Sequence, residues 1–486
     1  MKERIIELLT YHSDEPLIFS TGLFLVLFLG FTFIYMLLQR QLNLRLLFVT
    51  AFSYYFYYKS SGFYFGLLAV VTLSDYLIAK GIARWHSRWL VTLSLVIDLE
   101  LLGYFKYTNF FVGMWTQMIG ANFQPWDIFL PVGISFFTFQ SMSYVIDVYR
   151  GDLKPLSSLL DYAFYVSFFP QLVAGPIVRA RDFAPQIRKP IEVTSDMFAR
   201  GCYFIAIGLF KKAVISDYIS LNFVDRIFDN PSLYSGIENL MGVYGYTLQI
   251  YCDFSGYSDM AIGIALLLGF RFPMNFNAPY RSESITDFWR RWHISLSSWI
   301  RDYIYISLGG NRKGKVRQYI NLFVTMLLGG LWHGGSLNFV VWGGMHGVAL
   351  AVHKWTREQI FHHTKTYRSH GLKWLLAAVL TFHFVAFCWI FFRNHSFQSA
   401  CVMISQIACD FHPELFLQVV AGYWIVFAMM GFGYLTHFIP DSWQEGYIWV
   451  LDRGSVVLCA LLIAAVIYLV IQVKSSEIQP FIYFQF

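Results

Sequence analysis

Charge is what this chain has least of. Asp, Glu, Lys and Arg make up only 14% of its 486 residues, against 57% hydrophobic; a soluble globular chain carries about 25% charged residues. That shortage excludes a soluble fold, and no nucleic-acid partner is expected. Cysteine is sparse as well. Cys202, Cys252, Cys388, Cys401, Cys409 and Cys459 are scattered through apolar stretches without a C-x-x-C pair. They read as small core hydrophobes rather than a disulfide or zinc framework, and no metal is expected. The chain also lacks H-E-x-x-H, a Walker loop, G-x-S-x-G and a dinucleotide motif. ATP-driven transport and serine-hydrolase chemistry therefore have no support. No small-x-small cleavage site follows the first apolar run before Gln39 and Arg40. The run is too long for a signal h-region and reads as a retained span. No repeat, low-complexity tract or long linker divides the sequence, so residues 1–486 read as one integral membrane domain.

What is present is hydrophobic length. Residues 16–38, 63–78 and 455–473 are nearly free of charge, about the length that a ~30 Å hydrocarbon layer demands. Backbone polar groups in lipid must be satisfied internally, so these runs are helices. The expectation is an all-α polytopic membrane protein with about 11–13 hydrophobic segments. Aromatic content is high at 20%; Trp and Tyr gather at membrane interfaces, and many here would line a bundle interior or cavity. Phe169-Pro170-Gln171 and Gly175-Pro176 break the segment 165–177 midway. Broken backbone at membrane depth is tolerated where it is buried in protein or lines a wet cavity, which makes Gln171 a candidate lining residue.

Basic residues mark cytoplasmic loops. Arg40 and Arg45 follow the first span and Lys80, Arg84 and Arg88 the third, a parity that places the N-terminus outside. The strongest cluster spans residues 271–317, with nine Lys and Arg against Glu283, Asp287 and Asp302, an excess equal to the net charge of +6 for the whole chain. It serves topology and anionic lipid, or it attracts a polyanionic donor such as a coenzyme's phosphates or an acidic carrier protein. Within it, residues 284–306 read as one amphipathic interfacial helix. Ser284 caps it with Asp287 three residues on, and Trp289, Trp292, Leu296, Trp299 and Tyr303 form its apolar stripe. His293 projects toward the buried side, while Arg290 and Arg291 fall off the stripe.

A second histidine stands in Gly329-Gly330-Leu331-Trp332-His333-Gly334-Gly335, with apolar span on both sides. An ionisable side chain at bilayer depth is costly and tends to face a bundle interior or wet cavity. Imidazole also exchanges its proton near neutral pH. His333 is thus the first candidate for a reacting centre. Asp253 and Asp259 interrupt the apolar stretch 244–270. They either orient a catalytic His or pair with Arg281 or Arg290 to hold the bundle, the second reading being favoured. Asn277 lies in the polar loop Phe276-Asn277-Ala278-Pro279-Tyr280-Arg281. His346 is thirteen positions beyond His333, roughly 20 Å along an unbroken helix, so it is placed at a different depth as a packing residue. His362, His363 and His370 sit in a polar loop and need no special role.

Taken in order, Phe168-Phe169-Pro170-Gln171-Leu172-Val173-Ala174-Gly175-Pro176, residues 251–259, 276–281 and 287–308, and Leu331-Trp332-His333-Gly334 resemble the membrane-bound O-acyltransferase superfamily. The motif-bearing core spans about 131–349. Phe387-Cys388-Trp389-Ile390-Phe391-Phe392-Arg393, with Ser396 and Ala400, looks like the branch that O-acetylates alginate, peptidoglycan and related bacterial polysaccharides. The resemblance implies a helical core pierced by a central tunnel, with peripheral helices. It implies that His333 is the intramembrane catalytic histidine and that His293 matches the second one. It further implies a multi-pass protein of the bacterial inner membrane that carries an acetyl group from cytoplasmic acetyl-CoA, a donor substrate and not a bound cofactor, to an extracytoplasmic polysaccharide. A periplasmic acetyltransferase partner would assist. Arg290 and Arg291 would receive the donor, and the indole of Trp289 or Trp332 would help position its carbonyl. The alternatives are D-alanyl transfer from an acyl carrier protein to teichoic acid, a proton-coupled transporter, and a non-catalytic scaffold.

Overall fold

The computed structural model describes residues 2–12, 15–360 and 370–473. Among the described residues the regular elements are all helical, as the all-α expectation requires. His362 and His363 lie outside them. Three helical stretches are long and apolar enough to cross a membrane: 42–85, Leu372–Arg393 and Val456–Val473. A fourth is formed if Pro413–Gly422 and Trp424–Phe438, bent by 96° at their junction, count as one broken span. This is fewer than the eleven to thirteen hydrophobic segments, and the reason is physical. Many apolar segments sit in helices that are short, bent or interrupted by polar groups paired inside the protein. The helix Gly236–Leu267, for example, has 32 residues and carries Asp253 and Asp259.

Two glycine-mediated helix contacts build the centre. Helix Ser195–Leu209 packs on Gly236–Leu267, where a Cβ on Gly208 would lie 2.5 Å from the Gly256 carbonyl and one on Gly263 would lie 2.7 Å from that of Gly201. Helices Lys315–His333 and Leu337–Gln359 form a hairpin that is tight at Gly330 and Gly343, where the Gly343 Cα would lie 3.0 Å from a Cβ placed on Gly330. Small residues allow such approach, and dispersion across it holds helices together where the hydrophobic effect does not.

Residues 284–306 are not one helix. The structure has Ile285–Arg291, a break at Trp292 and His293, then Ile294–Ile300 and a π-helical turn Arg301–Tyr305. Trp292, Leu296, Trp299 and Tyr303 are nonetheless all buried, because the bend re-aims the stripe and keeps it inside. Of the cysteines, Cys401 and Cys409 are exposed while the other four are buried, so the core-hydrophobe reading fails for these two. They lie at positions of Phe397–Cys409 that face away from the bundle.

Candidate active site

His333 is the last residue of its helix; at Gly334 the chain turns extended. The final carbonyls of a helix have no partner within it. Here the Tyr107 hydroxyl donates to the Leu331 carbonyl at 2.7 Å, and the Lys106 ammonium donates to that of Trp332 at 2.7 Å. Both side chains come from the π-helical turn Gly103–Tyr107; such turns recur at functional sites. Gly335 permits the contact, since a Cβ there would lie 2.8 Å from the Lys106 carbonyl. The imidazole of His333 is only 3% exposed. Its ring centroid lies 4.9 Å from Trp332, 5.0 Å from Trp342 and 5.0 Å from Phe392.

His293 occupies the break, with φ 43° and ψ 55°. This left-handed conformation is strained for a residue with a Cβ and is held by a buried polar network. The Ile294 N–H donates to the Asn275 carbonyl at 2.9 Å. The Ser295 hydroxyl donates to Asn275 Oδ1 at 2.9 Å and accepts from the Ile177 N–H at 3.0 Å. Asn275 Nδ2 in turn donates to Ser258 Oγ at 3.1 Å. The His293 ring is fully buried, 4.6 Å from Phe254 and 5.9 Å from Trp332. The Trp332 indole therefore touches both histidines.

The remaining candidates divide. Trp289 Nε1 donates to His346 Nδ1 at 3.3 Å. His346 stands on the return helix, where Gly343 lies against Met326 and Gly330 and Gly347 against Phe323, so it is level with the middle of Lys315–His333 and at a different depth from His333, as expected. The chain reverses after Gly334, and the rings of His333 and His346 lie 5.0 Å and 4.8 Å from Trp342. The separation is smaller than the roughly 20 Å of an unbroken helix, because the chain reverses between the two residues. Arg290 is exposed, whereas Arg291 is tied to Asp287 at 2.9 Å. Asn277 is exposed and uses its backbone, accepting from Arg291 Nη1 at 3.3 Å. Gln171 is buried in the broken turn and donates to the Tyr165 carbonyl. Neither is brought against the histidines by its hydrogen bonds. Asp253 pairs with Lys212 at 2.6 Å and Asp259 with Lys211 at 2.8 Å, not with Arg281 or Arg290. These lysines stand on the π-helical turn Phe210–Ser216, so the ion pairs bind it to Gly236–Leu267.

Near the basic loop, Asp302 accepts from Arg179 at 2.6 Å and from Arg301 at 2.6 Å. Burial works to raise its carboxyl, but the two guanidinium groups outweigh it and hold it below the ordinary carboxylate range. Sequence reasoning missed Lys106, Tyr107, Asn275 and Ser295. Lys106 alone carried a usable signal, as a lysine in an apolar run. A part-open cavity bordered by Lys106, Ser135, Gly133, Val173 and Trp332 reaches the indole beside His333.

Two buried imidazoles flank one indole inside a helical bundle whose outer helices are apolar and long enough to cross a membrane. Residues 153–397 match the membrane-bound O-acyltransferase family. The chain is similar to a probable alginate O-acetylase AlgI of Pseudomonas putida, 38% identical over 97% of this chain and 100% of that protein. It is similar to the peptidoglycan O-acetyltransferase of Helicobacter pylori, 38% identical over 79% of this chain and 78% of that one. To the teichoic acid D-alanyltransferase of Bacillus subtilis it is 31% identical over 56% of this chain and 71% of that one. The chain belongs to the membrane-bound O-acyltransferase family and is an O-acyltransferase.

Proposed function

We propose that this enzyme moves an acetyl group from cytoplasmic acetyl-CoA to an extracytoplasmic polysaccharide of the alginate or peptidoglycan kind, working with a periplasmic partner in the bacterial cytoplasmic membrane. The whole chain acts as one membrane domain around the two histidines. Acetyl-CoA meets the basic face, where exposed Arg290 attracts its phosphates. His333 takes the proton of the acceptor hydroxyl, whose oxygen attacks the thioester carbonyl. The C–S bond breaks as the ester C–O bond forms, and the imidazolium returns the proton to the departing thiolate. His293 and the Trp332 indole hold the thioester in place. Positioned general-base help supplies about 10²–10⁴-fold; orientation in the aromatic enclosure supplies more.

The observation that carries this reading is the convergence of His333 and His293 on Trp332, from helices far apart in the chain. Acetyl transfer is favoured over D-alanyl transfer because similarity to an alginate O-acetylase runs over 97% of the chain, against 56% for a D-alanyltransferase. Membership of an acyltransferase family weighs against the transporter and scaffold readings. The test is transfer of label from radiolabelled acetyl-CoA by the purified protein in vesicles. His333→Ala should reduce it by about 10²–10⁴-fold while the protein stays inserted and folded. Undiminished transfer by that variant would overturn the assignment.

A further inference from the structure

Two hydrogen-bond donors are enclosed beside His333 with nothing to donate to. An indole N–H can only donate, so the bond from Trp289 Nε1 makes His346 Nδ1 an acceptor, at 3.3 Å. A neutral imidazole that accepts at Nδ1 carries its hydrogen on Nε2. His346 is fully buried, and among the described residues nothing accepts from that Nε2–H. The indole N–H of Trp342, 1% exposed, likewise has no acceptor. Its ring lies 4.8 Å from His346 and 5.0 Å from His333. An enclosed donor without an acceptor is unfavourable, so both groups are set for an oxygen that the chain does not supply. Both donors are neutral, and Phe384 and Phe288 lie 5.6 Å and 6.2 Å from the His346 ring. A carboxylate or phosphate would give up its hydration here against neutral groups. An amide carbonyl, neutral and satisfied by one donor, fits.

We propose that His346 binds an amide carbonyl of the acyl donor's pantetheine arm through its Nε2–H, and that the Trp342 N–H serves the same arm. This rests on the reading of His333 as the reacting centre for a thioester that enters from the basic face. The order of groups along the protein matches their order along such a donor. Arg290 is exposed; next to it, half-buried Trp289 holds His346. Gly343 and Gly347 flank His346 on its helix and lie against Met326 and Phe323. The imidazole therefore stands between the basic start of Lys315–His333 and its His333 end. Phosphates at Arg290, the arm at His346 and the thioester at His333 follow in that sequence. The first amide of the arm is two methylenes from the sulfur, about 6 Å from the thioester carbonyl. The two imidazoles, both against the Trp342 indole, are spaced to receive those two groups. A carrier protein presents the same arm as coenzyme A, so His346 reads the arm and not what bears it. With its Nδ1 lone pair engaged by an indole, His346 positions the donor and takes no proton.

The test uses the full chain in vesicles with two small acyl donors. S-acetyl-N-acetylcysteamine keeps the first amide of the arm; S-pentyl thioacetate has the same length without it. Wild type should use the amide donor with a kcat/KM about tenfold higher. His346→Leu should lower that value about tenfold and leave the pentyl donor unchanged, while His346→Gln, which keeps an N–H, retains part of the preference. Equal losses with both donors would make His346 a packing residue and overturn the proposal, as would a wild type without preference. His346→Phe suits the same aromatic surroundings and takes the place of the leucine variant if that one fails to insert. Acetyl-CoA and an acetylated carrier protein, assayed in parallel, distinguish the two sources of the arm. Whichever one wild type uses should show a KM raised about tenfold in His346→Leu; an unchanged KM overturns the site. Equilibrium dialysis of labelled pantetheine, without acyl group or acceptor, separates this proposal from the transfer reading. Binding that His333→Ala keeps and His346→Leu weakens supports the site even if His333 is not the reacting group. Absence of pantetheine binding by wild type overturns it.

Discussion

The imidazole of His293 lies against the indole of Trp332, with ring centroids 5.9 Å apart and planes at 56°. That contact exists because the chain bends at His293 and not elsewhere. The bend depends on a left-handed residue that carries a side chain, so backbone strain and ring chemistry reside at one position.

Substitution separates the two. His293→Ala removes the ring and keeps about 1–2 kcal/mol of left-handed strain, whereas His293→Gly removes both. The glycine variant should unfold at the higher temperature in detergent, and both should lose transfer to a similar extent. A glycine variant with wild-type turnover would assign His293 to the backbone alone.

Lys212 is 2% exposed and pairs with both Asp217 and Asp253. Replacing it by Met strands the buried carboxylate of Asp253, an effect of about 3–5 kcal/mol. Thermal unfolding of Lys212→Met should show it, and adding Asp253→Asn should recover part of the loss. If the double variant is no more stable than the single one, the pair does not bind the π-helical turn to the central helix.

Within the hairpin, a Cβ on Gly343 would lie 2.5 Å from the Met326 carbonyl, while one on Gly344 would meet only Phe323 at 3.9 Å. Gly343→Ala should force the helices apart at about 1–3 kcal/mol, and displacing His333 should lower transfer about 10²-fold. Gly344→Ala should be close to neutral in both assays. Equal behaviour of the two variants would show that close approach does not set the position of His333.

The carboxyl of Asp302 titrates below its ordinary range because Arg301 and Arg179 outweigh its burial. A depressed acid contributes stability that is complete above its unfolded value and fades as pH falls through the folded one. Acidification below about pH 4 should therefore weaken the junction of Arg179 with the turn Arg301–Tyr305. Asp302→Asn should unfold with a shallower dependence on pH across that window. An unchanged acid profile would show that the ion pairs do not couple to stability.

Much of the architecture was readable along the chain. Charge-poor runs gave the helices, and the broken segment around Phe169-Pro170-Gln171 is observed as two short helices, Leu159–Ser167 and Phe169–Leu172. Ser284 caps its helix by accepting from the Asp287 N–H at 3.2 Å. The site was legible only in part. The histidines were visible as ionisable groups in apolar surroundings. Asn275 and Ser295 resemble any loop polar residues until the bend at His293 brings them together, and Tyr107 is one aromatic among many.

The sequence by itself determined the solvent this protein folds in, its helical character and the ionisable groups that had to be enclosed. Those properties follow from hydrophobicity and from backbone groups that must pair within their own segment, both readable over a few turns. Only the tertiary structure decided which enclosed groups meet. Placing Trp332 between His293 and His333, His346 beside Trp342, and Lys106 on the end of the His333 helix requires a left-handed bend, a tight hairpin and glycine contacts. Those act between residues far apart in the chain, where no local periodicity records them.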